Sequence, residues 1–324
     1  MTGRPLTCWV VSDGKAGMEN QCLGLAEAVG IEPVVKRVAL RAPWRQLTPF
    51  LRLGLAHAAD PARGDPVAPP WPDLLIASGR QSTAPALLAR RASGGRTFTV
   101  YIQNPVVSPK LFDLVVVPRH DRLRGANVLS TRGALHRVTP ARLAEAAGRA
   151  AARLGALPRP RLAVLIGGNN GVYTLTADRM REIAGQLAGL ARQGIGLMVT
   201  PSRRTGPENE AILRGALAGT GAEVWDFQGE NPYFAYLGSA DAIAVTCDSV
   251  SMVSEAASTG KPVYVIGLPG GGGKFDAFHK AMAADGITRP FDGGFASWSY
   301  APLDDTPRIA AAVRERMAAR GLTV

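Results

Sequence analysis

The chain has 324 residues, 46% of them apolar and 19% charged, which suits two cores of about 150 residues each and excludes a disordered chain. Its formal net charge of +11 is lopsided: residues 1–155 hold 21 Lys/Arg against 10 Asp/Glu, whereas residues 156–324 hold 16 of each. No apolar run reaches the ~18 residues of a membrane span, three dispersed cysteines without a CxxC argue against a disulfide framework or zinc site, and four histidines lack metal-ligand spacing.

The N-terminus, MTGRPLTCWVVSDG, enters a strand at once without a signal-peptide core, so a cytoplasmic chain is expected. Strand and helix signals then alternate to the end, which predicts an α/β protein with two parallel sheets flanked by helices. In the first half the strands are Thr7–Val11, Val34–Val38, Leu74–Ala77, Thr97–Ile102, Leu114–Val117 and a short one near Val128. Helices are expected at Glu19–Val29, Trp44–Ala58, Thr83–Arg91 and Pro140–Leu154. The prolines of Leu157-Pro158-Arg159-Pro160 break the pattern, placing a linker at Gly155–Arg161 between a basic domain of residues 1–155 and a second of residues 156–300. The second half restarts with strand Leu162–Ile166, helix Thr176–Arg192, strand Gly196–Thr200, helix Glu208–Ala218 and strand Glu223–Phe227. Helix Pro232–Gly238, strand Ala242–Val245, helix Ser251–Thr259, strand Val263–Ile266 and helix Asp276–Ala284 follow. In the tail, residues 301–324, a last helix lines up Ile309, Val313 and Met317 on one face.

Open parallel sheets bind ligands outside the carboxyl ends of their strands, so polar and glycine-rich residues there are the candidates. The first strand ends in Ser12-Asp13-Gly14-Lys15-Ala16-Gly17, where the glycines permit a tight turn and Lys15 can neutralise an anion. The spacing is not that of a Walker A loop, and Asp13 is either functional or an N-cap. Ser78-Gly79-Arg80 follows the strand Leu74–Ala77, Gln103-Asn104-Pro105 ends Thr97–Ile102, and Arg119-His120-Asp121 follows Leu114–Val117. His120 beside Asp121 is either a general base or a histidine satisfying a buried carbonyl.

The second half offers Gly167-Gly168-Asn169-Asn170-Gly171, suited to close backbone approach to a phosphate and lacking the GxGxxG spacing of a nicotinamide site. Ser202-Arg203-Arg204 presents paired guanidinium forks that match a diphosphate. Gly229-Glu230-Asn231-Pro232-Tyr233 and the glycine run before Lys274 close two further strands. The richest stretch is DAIAVTCDSVSMVSEAASTGKPVY, residues 241–264. There an apolar strand runs through Asp248 and Ser249 into a helix whose N-terminus, at Ser251, suits a phosphate. Ser254 and Glu255 lie one turn on, and a carboxylate in that place can take both hydroxyls of a ribose.

As an ordered set, SDGKAGxxNQ, ASGRQ, QNP, PRHD, GGNNG, TPSRRT, GENPY, TxDSxSMxSEA and GKPV resemble the bacterial relatives of the plant mitochondrial fission factor named "elongated mitochondria", a family described as glycosyltransferases. The resemblance runs from Ser12 to about Pro290. Residues 241–264 also resemble the sugar-nucleotide site of two-domain (GT-B) transferases of the lipid II synthase MurG type. The first loop departs from that pattern, with Asp13 and Lys15 in place of a glycine-rich turn with histidine.

The resemblance implies two Rossmann-like domains facing across a cleft, with the final helix packing back on the first domain. It implies a metal-independent glycosyltransferase that uses a nucleotide-diphosphate sugar, UDP-linked, as substrate and needs no cofactor. Gly167, Gly168, Asn169, Asn170, Ser202, Arg203, Arg204, Asn231, Asp248, Ser249, Ser251, Ser254, Glu255 and Lys274 would hold the donor. Asp13 or His120 with Asp121 would take the proton from the acceptor hydroxyl, and Lys15, Ser78, Arg80, Gln103 and Asn104 would line the acceptor side. The basic first half fits an anionic or lipid-linked acceptor, with the chain peripheral on the inner face of a membrane. A UDP-sugar epimerase of the same fold and a non-catalytic membrane adaptor are the alternatives. Nucleic acid is not an expected partner, because aromatics are 6% of the chain and no recognised binding module is present.

Overall fold

A computed structural model describes residues 4–323. Among these residues, twelve strands form two six-stranded, all-parallel sheets. The first comprises β1 (Cys8–Ser12), β2 (Pro33–Arg37), β3 (Leu74–Ser78), β4 (Phe98–Ile102), β5 (Leu114–Pro118) and β6 (Val128–Thr131), in the order β2-β1-β3-β4-β5-β6. The second comprises β7 (Arg161–Ile166), β8 (Gly196–Pro201), β9 (Glu223–Val224), β10 (Ala242–Thr246), β11 (Val263–Ile266) and β12 (Thr288–Pro290), in the order β12-β11-β10-β7-β8-β9. Both are doubly wound, and the direction of winding reverses between β1 and β3 in one and between β7 and β10 in the other. Strands covered on both faces read as continuous apolar runs, which is why CWVVS, LLIAS, RLAVLI and AIAVT are buried at every position.

The chain divides into two compact units: residues 1–137 with 304–324, and residues 138–303. In the first, helix Ala16–Val29 and the last helix, Asp305–Ala318, cover one face of the sheet. Ile309, Val313 and Met317 join Leu25, Val29 and Leu114 in one buried cluster. The Asp305 carboxylate fixes that helix by accepting the Arg132 and Gly133 N–H groups at 2.9 Å.

The boundary differs from the linker expected at residues 155–161. Helix Pro140–Arg149 belongs to the second unit, where Ala146, Ala150 and Leu154 pack with Met198, Tyr236 and Leu237. Close approach to the helix at Tyr233–Ser239 requires Gly238, because a Cβ there would lie 2.5 Å from the Leu143 carbonyl oxygen. The proline pair that looked like a linker is fastened within this unit: Arg159 pairs with Asp241 at 3.0 Å and Arg161 donates to the Leu157 carbonyl.

Three elements depart from the sequence reading. The helix expected over 44–58 is a single turn, Trp44–Leu47, and a 3-10 turn, Leu55–His57, because Pro49 and Gly54 interrupt it. The strand expected over 223–227 ends at Val224, where the chain leaves the sheet edge. The edge strand β12 is too short to show a periodicity.

Candidate functional site

In the second unit, the loops after β7, β8 and β10 meet where the winding reverses, the place at which open α/β sheets bind ligands. Asp248 organises them. Its buried Oδ2 accepts the Gly168 N–H at 3.1 Å and pairs with Arg204 at 2.7 Å, its carbonyl accepts from Asn170 at 3.0 Å, and its Oδ1 has no partner. Gly167 donates to the Thr246 hydroxyl at 2.7 Å, and its carbonyl accepts from Ser202 at 2.8 Å and Thr205 at 2.7 Å. The glycines are obligatory for this approach. A Cβ on Gly167 would lie 2.3 Å from both Asp248 oxygens, and one on Gly168 would lie 1.9 Å from the Arg204 carbonyl.

Helix Val250–Ala257 opens directly from this junction. Ser249 is its N-cap and accepts the Met252 N–H at 3.3 Å, leaving the N–H groups of Val250 and Ser251 at the open, positive end. One turn on, partly buried Glu255 accepts a short hydrogen bond from the Tyr233 hydroxyl. Burial pushes the Glu255 pKa up to about 7, against the pull of that hydrogen bond, and raises Tyr233 well above the ordinary phenol range.

Many of the residues expected to grip a donor build the junction. Ser254 bonds the Val250 carbonyl, the Asn169 carboxamide oxygen accepts from Leu175, and that of Asn170 accepts from Val172 and Tyr173. Asn231 accepts the Tyr233 N–H at the start of the next helix. Arg203 and Arg204 do not act as a fork pair, because Arg204 neutralises Asp248 while Arg203 extends into solvent. At the junction Asn169, Arg203 and Arg204 are exposed, the helix start at Ser251 and Glu255 are partly buried, and Lys274 is exposed at the start of helix Gly273–Ala284.

Sequence reasoning missed an aromatic pair beyond β9. The rings of Trp225 and Phe227 lie 4.7 Å apart, and Phe227 holds φ +66°, a left-handed conformation that is strained for a bulky residue. Its one signal was the segment WDFQ at a strand end.

In the first unit, the expected residues gather at the carboxyl ends of β1, β3, β4 and β5. Asp13 is almost fully buried, pairs through Oδ2 with Lys15 at 2.7 Å and keeps Oδ1 without a partner. The buried Ser78 hydroxyl at the end of β3 is also unpartnered. Gly79 packs against Asp13, since a Cβ there would lie 3.3 Å from Oδ1. Two expected cations are committed: Lys15 to Asp13, and Arg80 to the backbone carbonyls of Gln46 and Thr48. Gln103 (φ +81°) and Val106 (φ +63°) strain the loop after β4, with the Asn104 side chain accepting the Val106 N–H at 2.9 Å. Asp121 is buried beyond β5, its N–H bonded to the Pro118 carbonyl, and His120 is partly buried beside it.

Among solved structures, the chain resembles the UDP-N-acetylglucosamine 2-epimerase of Rickettsia bellii, with a TM-score of 0.53 and 10% identity over 98% of this chain and 97% of that one. It also resembles the glycosyltransferase SnogD of Streptomyces nogalater, with a TM-score of 0.52 and 19% identity over 96% and 95% of the two chains. At these identities the likeness establishes the GT-B fold. The "Mitochondrial fission protein ELM1" of Arabidopsis thaliana is 33% identical over 277 residues, which cover 77% of this chain and 65% of the plant protein. A family model for "Mitochondrial fission ELM1" matches residues 16–317, and the chain belongs to that family.

Proposed function

We propose that this chain transfers a glycosyl group from a nucleotide-diphosphate sugar, UDP-linked, to a hydroxyl acceptor without a metal. The observation that carries the reading is the junction where β7 and β10 diverge: glycine backbone, an open helix N-terminus and Glu255 on that same helix. The diphosphate would lie against the N–H groups at the start of helix Val250–Ala257, with Arg203 closing on it. The ribose hydroxyls would replace Tyr233 on Glu255, and the Trp225–Phe227 ring pair offers a face for the base.

In the transfer, the acceptor oxygen bonds to the anomeric carbon while the bond from that carbon to the diphosphate oxygen breaks. Helix dipole and guanidinium stabilise the negative charge that develops on the leaving group. The acceptor's proton passes to Asp13, whose buried Oδ1 is unpartnered, or to His120. The first unit carries 22 Lys/Arg against 12 Asp/Glu, which favours an anionic or lipid-linked acceptor at a membrane surface.

Calorimetry with UDP tests the donor site. Binding by the wild type, lost in Glu255→Ala and weakened in Arg203→Ala, supports it, and unchanged binding in Glu255→Ala overturns it. Epimerisation is the second reading, favoured by a fold shared with 2-epimerases. Incubation with UDP-N-acetylglucosamine and no acceptor separates the two, because an epimerase releases a changed sugar. Membrane binding that survives both substitutions, in a chain that never binds UDP, would identify an adaptor.

A further inference from the structure

Residues 41–53, RAPWRQLTPFLRL, contain three arginines and no acidic residue. They also hold three of the most exposed large apolar side chains among the described residues: Leu47 at 52%, Phe50 at 68% and Leu53 at 79%. The segment is firmly held. Arg80, at the carboxyl end of β3, donates to the carbonyls of Gln46 and Thr48, and Thr48 is fully buried. The Trp44 indole N–H donates to the Leu53 carbonyl at 2.8 Å, and Arg91 donates to the Arg52 carbonyl at 3.1 Å. Gly54 turns the chain back at φ +61° against the Trp44 ring. The backbone is therefore fixed in a shape that keeps Leu47, Phe50 and Leu53 in solvent. Arg45 and Arg52 have no carboxylate partner among the described residues.

We propose that residues 44–53 dock this protein on an anionic lipid bilayer, Leu47, Phe50 and Leu53 entering the interface while Arg45 and Arg52 meet lipid phosphates. The chemistry favours a bilayer over a protein partner. Three protruding side chains offer far less than the ~800 Å² that each partner of a stable protein pair buries, whereas a small apolar wedge ringed by cations is sufficient for reversible interfacial binding. Arg80 ties the segment to the strand end that carries Ser78, with Asp13 packed alongside at Gly79. Docking would therefore bring a lipid-linked hydroxyl to the rim of the acceptor site. That last step rests on the transferase reading above, but the docking itself does not.

Co-sedimentation of the full-length chain with vesicles tests the proposal, comparing phosphatidylcholine alone with phosphatidylcholine containing phosphatidylglycerol. The wild type should bind only the anionic vesicles. Leu47→Ser/Phe50→Ser/Leu53→Ser should weaken binding by more than about tenfold. Arg45→Gln/Arg52→Gln should weaken it roughly thirtyfold, with a shallower salt dependence. Equal binding by the triple variant, or indifference of the wild type to phosphatidylglycerol, overturns the proposal. Self-association abolished by the triple variant, without vesicle binding, would overturn it in favour of a second copy of the chain. UDP calorimetry on the same proteins keeps the two readings apart: donor binding should be unchanged in both variants, and its absence from the wild type would leave the vesicle result standing.

Discussion

At the residue scale, Glu255 makes the sharpest prediction. Its folded-state pKa of about 7 lies above the ordinary 4.5, so the native state holds an extra proton between those values. Stability contributed by the protonated form is complete below about pH 4.5 and is lost as the pH rises through 7. Glu255→Gln has no charge to bury and should escape that loss. Relative to the variant, the wild type should weaken between pH 5 and pH 8 by on the order of 1–3 kcal/mol in thermal or urea unfolding. Parallel pH profiles would show that the carboxylate is solvated. Gly167 and Asp248 supply a second prediction. Asp248→Ala leaves the buried Gly168 N–H without an acceptor and should cost about 1–3 kcal/mol. Gly167→Ala forces a methyl against the Asp248 carboxylate and should cost a similar ~1–3 kcal/mol. With that carboxylate removed the clash disappears, so Gly167→Ala should cost less in the Asp248→Ala background. Strict additivity in the double-mutant cycle would contradict the contact. The sequence located both residues, because a glycine turn and a polar strand-end loop are local patterns. It did not reveal that Asp248 binds Arg204 and Gly168, since those partners lie 44 and 80 residues away in the loops after β8 and β7, and contacts between neighbouring strand ends leave no local signature.

Elements were legible in proportion to how much their burial repeats along the chain. Strands buried on both faces and the long helices Ala16–Val29 and Ala177–Arg192 are continuous apolar or periodic signals. Residues 44–58 misled because their apolar content resembles a helix, whereas Leu47, Phe50 and Leu53 face solvent. The same mismatch marks the segment as a surface feature in its own right. The last helix gives the opposite case: its stripe of Ile309, Val313 and Met317 is fully buried against the helix Ala16–Val29, although nearly 300 residues of sequence separate the two. Ile309→Ala should cost about 2–5 kcal/mol, measured by urea unfolding, and Arg308→Ala much less because its side chain is nearly half exposed and lies outside the buried stripe. An Ile309→Ala midpoint equal to that of the wild type would mean that the helix is peripheral to the first core.

At the scale of the whole molecule, the sequence divided charge and architecture correctly between two sheets but cut the chain some 18 residues late. Two prolines are a strong local signal for a break, yet what decides membership of a unit is which core a helix buries its face in. Leu154 and Ala150 lie in the second core. That assignment makes the second unit continuous, residues 138–303, whereas the first needs both the residues up to 137 and those from 304 onward. Expressed alone, residues 138–303 should fold cooperatively, because both faces of their sheet are covered by their own helices, with Ile183, Leu187 and Leu213 on one side and Tyr236, Val253 and Phe278 on the other. They should also retain UDP affinity in calorimetry within a few-fold of the full chain, since every donor-side group proposed above lies within them. Starting the fragment at residue 156, where the prolines suggest a boundary, removes the helices over 140–154 and uncovers Tyr236 and Leu237. That shorter fragment should be markedly less stable or insoluble. If it instead matched the longer one in unfolding midpoint, the helix at Pro140–Arg149 would be an appendage. If the longer fragment folded without binding UDP while the full chain bound it, the donor site would require groups from the first unit.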